Sequence, residues 1–172
     1  MKISVIGLPG SGKTLFAQRV SEKFSIPHIH LDRFWFENGG MKIDAKMPGP
    51  ELENLRSNIK QKVIEATSAE SWVSDGIYAQ VQPYIANLAD KVIFLDIPLM
   101  QRLLNHAIRI FSPSQRHEEL NFWHEIMFFA EIIRRQRTSK PKLMKIVKEF
   151  DNKVIRLHSR KEINYFIENN LV

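Results

Sequence analysis

Residues 7–14 read GLPGSGKT, and they stand between a short β-branched run, KISVI at 2–6, and a stretch of helical spacing at 14–24. Glycines in such a loop let the backbone take positive φ and approach a ligand closely. The pattern G-x-x-x-x-G-K-[ST], after a strand and before a helix, is the arrangement that cradles phosphate oxygens. Successive N–H groups and the N-terminus of the following helix turn their positive ends toward the anion. Lys13 is then the cation that bridges the β- and γ-phosphates, and Thr14 offers its hydroxyl to Mg2+. Gly7, Leu8, Pro9, Gly10, Ser11, Gly12, Lys13, Thr14 and Leu15 are therefore the expected nucleotide-binding residues, with ATP and Mg2+ as cofactors.

The rest of the chain accommodates such a loop. Its 172 residues make one domain of ordinary size with a buried core, and 44% hydrophobic against 26% charged residues is a globular balance. There is no cysteine, which excludes disulfides, thiolate catalysis and cysteine-ligated zinc and fits a reducing compartment. The longest charge-free run, 76–89, is 14 residues and includes Gln, Asn and Pro, too short and polar to span a bilayer. With no cleavable signal ahead of the first strand, a cytoplasmic protein without membrane contact is expected. The net charge of +6 lies wholly in the second half. Its densest part, RRQRTSKPKLMK at 134–145, carries six cations and no acid. A solvated helix face or a polyanion site both accommodate that cluster.

Alternation of period then sets the architecture. Strands are expected at 2–6, 28–32, 72–75, 91–96 and 154–157. Helices are expected at 14–24, 50–69, 80–89, 98–111, 118–136, 141–150 and 161–168, with a short helix and loop over 33–47. Short buried strands alternating with helices predict a parallel sheet covered on both faces, a three-layer α/β/α fold. His28 with His30, and His117 with His124, find no third ligand at convincing spacing, so zinc is not expected. The aromatic runs 34–36, 122–123 and 128–129 read as packing, with base stacking as the second reading.

With the phosphate loop in place, three further segments, HLDRFWF (30–36), WVSDGIY (72–78) and ADKVIFLDIP (89–98), give the chain a family likeness. It resembles the adenylate-kinase-like P-loop kinases, and within them the small proteins labelled DNA topology modulation proteins, over nearly its whole length. That resemblance implies a P-loop NTPase fold with a five-stranded parallel sheet of order 2-3-1-4-5. It also implies an acceptor-binding insert at about 33–70 and an arginine-bearing helical lid at about 112–140, within a single kinase-like domain. Asp32, Asp75 and Asp96 each end an expected strand, where ligands sit in open α/β sheets. In related kinases the carboxylate at the Asp32 position contacts the acceptor hydroxyl or a metal-bound water, with a helix N-cap as its other reading. The acid at the Asp75 position lies close to the metal's water shell, with an Asp-Gly turn as the alternative. Asp96 stands evenly between metal contact and structure.

Asp32, Arg33, Arg56, Asp75 and Tyr78 thus form the expected acceptor set, with Thr14 and Asp75 toward the metal. Adenylate kinase's Asp-Gly-Phe-Pro-Arg is here Asp-Gly-Ile-Tyr-Ala at 75–79; the missing arginine argues against AMP as acceptor. Charge that gathers on the transferring phosphoryl group calls for lid cations. Arg102, Arg109, Arg116, Arg134, Arg135 and Arg137 are available, and Arg109, Arg116, Arg134 and Arg135 are favoured as catalytic partners of Lys13 and Asp32. Ser159 and Arg160, after the fifth strand, are expected beside the adenine, with Ser159 also suited to cap the last helix. No N-K-x-D or D-x-x-G motif points to a GTPase. The favoured function is a phosphotransferase acting on a small acceptor, a nucleoside or nucleotide, as a monomer or dimer. A nucleic-acid-binding or regulatory P-loop ATPase is the alternative, less favoured because a basic lid accounts for the charge without DNA.

Overall fold

The computed structural model describes residues 1–37, 49–76, 80–111 and 122–171, and of these the backbone alone at 35, 36, 51, 109–111, 122–128 and 131. Five strands, β1 (Lys2–Gly7), β2 (His28–His30), β3 (Trp72–Asp75), β4 (Lys91–Leu95) and β5 (Val154–Leu157), form one parallel sheet in the order β2-β3-β1-β4-β5. Residues of like parity share a face, and register aligns Val5 with Asp75 and Gly7 with Leu95. β1 is the middle strand, and after Lys2 it is buried throughout, as its unbroken apolar run requires.

Helices cover both faces. α1 (Lys13–Phe24) and α8 (Arg160–Asn169) place Phe16, Ala17, Val20, Phe166 and Ile167 on Ile3, Val5, Val73 and Ile93. The opposite face carries α3 (Gly49–Thr67), α4 (Gln82–Leu88) and α7 (Lys140–Glu149), whose Leu55, Ile59, Val63, Ile85, Ala86, Leu143 and Val147 pack on Ile6, Val92 and Phe94. The result is the expected three-layer α/β/α fold. α2 (Leu31–Glu37) follows β2, while α5 (Leu99–Phe111) and α6 (Phe122–Thr138) pack together between β4 and α7, and a 3₁₀ turn at Asp151–Lys153 leads into β5. Among the described residues no helix is long and apolar enough to cross a membrane.

Three strand ends differ from the sequence reading: β1 runs on to Gly7, and β2 and β4 stop short. β2 stops at His30, so Leu31 and Asp32 belong to the first turn of α2. His30 Nδ1 accepts the Arg33 N–H at 3.2 Å, so the histidine caps the helix in the place where a serine or aspartate usually serves. β4 stops at Leu95, one residue before Asp96. Of the insert expected at about 33–70 and the lid expected at about 112–140, residues 38–48 and 112–121 lie outside the described residues.

Trp72, fully buried at the start of β3, joins the two halves of the α3–β3 unit: its Nε1–H donates to the Thr67 carbonyl at 3.2 Å, at the end of α3. Trp72→Ala should therefore destabilise the protein by about 3–5 kcal/mol, a cavity penalty plus one orphaned carbonyl, read as a lower urea midpoint.

Candidate functional site

The loop between β1 and α1 has no room for a side chain at Gly7 or Gly10. A Cβ on Gly7 would lie 2.8 Å from the Leu95 carbonyl oxygen, and one on Gly10 would lie 2.8 Å from that of Arg102. Gly10 and Gly12 take left-handed φ of 79° and 88°, which an L side chain resists. Gly12 occupies the N-cap position of α1, makes no side-chain cap, and no acid follows in the first turn. α8 shows what an ordinary start looks like in this chain. There Ser159 Oγ accepts the Glu162 N–H at 3.2 Å, and a Glu162 carboxylate oxygen accepts the His158 N–H at 2.9 Å. α1 instead presents its first-turn N–H groups and the positive end of its dipole at the carboxyl end of the sheet.

Around that helix start the charged residues converge. Thr14 Oγ1 donates to Asp75 Oδ2 at 2.6 Å, and Asp75 Oδ1 lies 2.7 Å from His28 Nε2. Burial alone pushes the Asp75 carboxyl up. The His28 and Thr14 hydrogen bonds and the histidine charges outweigh it and hold the group below the usual carboxylate value. Lys13 turns back onto the Leu8 carbonyl at 3.3 Å. Its ammonium is withdrawn from water, which lowers its pKa; Asp32 and Asp75 oppose that shift, while Arg135 and Arg102 reinforce it. Asp32 is exposed at the head of α2, with Oδ1 3.2 Å from where a Cβ on Gly76 would stand. Any side chain at position 76 would push against it.

The other expected site residues divide. Arg134 and Arg135 are exposed on the last turns of α6. Leu15 is 60% exposed beside the loop. Arg33 pairs with Glu37 at 2.6 Å along α2, and Arg56 is exposed on α3. Ser159 caps α8, and Arg160 Nη2 donates to Asn105 Oδ1 at 2.6 Å. Tyr78 and Arg116 lie outside the described residues, as does the side chain of Arg109. Asp96 is engaged elsewhere: it bonds the Arg156 guanidinium, lies 3.6 Å from Lys140 and 3.9 Å from His158 Nδ1. Thr14 goes to Asp75 instead, so of the two acids only Asp75 keeps company with the loop.

Three contributors had no local signal for the place they take. His28 completes the Asp75 pair from a neighbouring strand. Arg102, 1% exposed, donates to the Pro9 carbonyl at 3.2 Å and the Ile97 carbonyl at 3.1 Å, and bonds Gln136 Oε1. Asn105 Nδ2 donates to the Gly10 carbonyl at 2.9 Å. Arg102 was available from the sequence as a lid cation; in the fold it lies behind the loop instead.

The donor set suits the ligands expected of it. A hydroxyl and a buried carboxylate are hard oxygen donors of the kind Mg2+ takes. The buried Ser11 Oγ, beneath the loop, has no hydrogen-bond partner among the described residues.

Comparison with known proteins agrees with this fold. No protein-family model matches the chain. Mouse adenylate kinase 9 is 41% identical over 54 residues, 31% of this chain, and the match spans 3% of that protein's length. Among solved structures, TT1252 from Thermus thermophilus superposes with a TM-score of 0.58 at 16% identity, covering 99% of this chain and 94% of that one. Shikimate kinase from Bacteroides thetaiotaomicron gives 0.50 at 16% identity over 98% and 94%. The chain shares its fold with these two structures.

The Asp75 environment predicts an acid sensitivity. A carboxylate whose native pKa is depressed contributes stability above its unfolded value, about 3.9, and loses it as pH falls through the native one. The stability difference between wild type and Asp75→Asn should be widest above about pH 4 and narrow below it, as read by chemical denaturation across pH.

Proposed function

We propose that the protein is an ATP-dependent phosphotransferase that passes the γ-phosphate of MgATP to the hydroxyl of a small acceptor of nucleoside or nucleotide type. It works as one kinase-like domain in which residues 33–70 bind the acceptor and 112–140 close as a lid. The observation that carries the reading is the convergence of the Thr14–Asp75 pair and Lys13 on a helix start that has no cap of its own. An uncapped start backed by a lysine and faced by a buried acid is suited to a metal-bound polyphosphate.

Each residue then has a task. Gly10, Gly12 and the first turn of α1 bind phosphate oxygens through backbone N–H groups. Lys13 leaves the Leu8 carbonyl for a phosphate oxygen, which gives its ammonium an anionic acceptor in place of a neutral one. Thr14 and Asp75 would hold Mg2+, and His28 keeps the carboxylate in place. Bound Mg2+ would neutralise charge on the β- and γ-phosphates. Asp32 orients the acceptor hydroxyl and accepts its proton. Arg134 and Arg135, with Arg109 and Arg116, stabilise charge on the transferring group. Arg33, Arg56 and Tyr78 line the acceptor side, and Ser159 and Arg160 flank the base.

Two substitutions test the assignment. Lys13→Ala should lower MgATP affinity roughly tenfold or more in calorimetry while leaving the thermal midpoint close to wild type. Equal affinity would refute the phosphate-cradle reading. Asp32→Asn should leave ATP affinity nearly unchanged and lower acceptor-dependent turnover by about 10²–10⁴-fold, once a panel of nucleosides, nucleotides and small hydroxyl compounds has identified an acceptor by ADP release. If Asp32→Asn abolishes ATP binding, the residue serves the metal or the fold and the acceptor role fails.

A further inference from the structure

The back of the phosphate loop is held by α5. In a loop whose N–H groups face the ligand, carbonyls face away, and two of them, on Pro9 and Gly10, accept from Arg102 and Asn105. Arg102 does more than bind the loop. Its Nε–H goes to the Ile97 carbonyl at the turn into α5, its Nη1–H to Pro9, and its Nη2–H to Gln136 on the last turns of α6. Among the described residues no carboxylate lies within ion-pair distance of this buried guanidinium; oxygen dipoles alone satisfy it. A buried cation held that way binds each acceptor tightly, because losing one leaves a charged N–H orphaned.

Gln136 is the next residue after Arg135, whose charge acts on Lys13 at the loop. α6 has other attachments, including buried Ile132 and an edge contact of Phe129 with His106 at 4.7 Å, so the Gln136 bond is not needed to dock the helix. It sets where the last turns lie relative to the loop. We propose that Arg102 and Gln136 form a brace that ties α6 to the phosphate loop, making Gln136 a positioning residue that holds Arg135 toward the γ-phosphate. This rests on the nucleotide-binding reading above. It follows that Gln136 favours ATP over ADP without touching either.

The brace is tested without knowledge of the acceptor, by calorimetry of MgATP and MgADP on the full chain. Gln136→Met keeps the length of the side chain and removes the strong acceptor. It should weaken MgATP about tenfold and MgADP by no more than about twofold, with an unchanged thermal midpoint. In an Arg135→Ala background, which itself should lose affinity for MgATP selectively, Gln136→Met should cost nothing further, since residues acting through one another are not additive. Equal losses for the two nucleotides, additive losses in the double variant, or an Arg135→Ala protein with wild-type MgATP affinity would each overturn the brace. Those results leave the function reading intact so long as wild type binds MgATP and Lys13→Ala does not. A wild type that binds neither nucleotide removes both.

Discussion

The chain leaves its central strand through a turn with no room for a side chain at Gly7 or Gly10, and the carboxyl end of the sheet is arranged around that constraint. Leu95 of β4 closes in behind Gly7, and Arg102 of α5 closes in behind Gly10. The loop can move little in either direction, and its outward carbonyls are already bonded. A loop held that way does not need a ligand to find its shape, so less binding energy is spent on ordering it. The same turn starts α1 with a left-handed glycine where α8 has a capping serine. On the proposed function, the cap that α1 lacks is supplied by the bound anion.

The excess of positive charge in the second half is less uniform in use than its sequence suggests. Arg156 and Lys140 surround Asp96 and join β5 and α7 to the end of β4. Arg160 reaches Asn105, which in turn holds Gly10. Arg102 is buried behind the loop. Arg102, a lid candidate, and Lys140, in the polyanion candidate stretch, thus carry structural bonds, and Arg135 acts on Lys13 from α6. After burial, Arg135 on α6 and Arg102 on α5 further disfavour a charged Lys13, at the place the proposed function gives to phosphates. This is the pattern expected of a site prepared for concentrated negative charge.

The sheet was legible because each strand announces itself in a few adjacent residues, and its order followed from the family likeness of four short segments. The tight strand–loop–helix turn was legible for the same reason, since glycine spacing, lysine and threonine lie within eight residues. Boundaries slipped where a side chain overrode the pattern: His30 caps α2, so Asp32 opens a helix where a strand end was expected. Asp96 had the same outward signature as Asp75, a carboxylate after an apolar strand. What separates them is register, which puts Thr14 and His28 beside one and Arg156 beside the other. The partners of the loop were illegible in sequence because they are remote: Arg102 is 93 residues from Pro9, and Asn105 is 95 from Gly10. No local periodicity encodes such contacts.

The central claim, that the loop from Gly7 to Thr14 is the phosphate receptor, is tested most directly by following backbone amides in solution during a MgATP titration. The account predicts large, saturable shifts of the Gly10, Gly12, Lys13 and Thr14 amides, with the first turn of α1 following and the β5–α8 turn responding to the base. Shifts confined to the basic stretch at 134–145, with the loop amides unmoved, would contradict it and transfer the anion site to the second half of the chain.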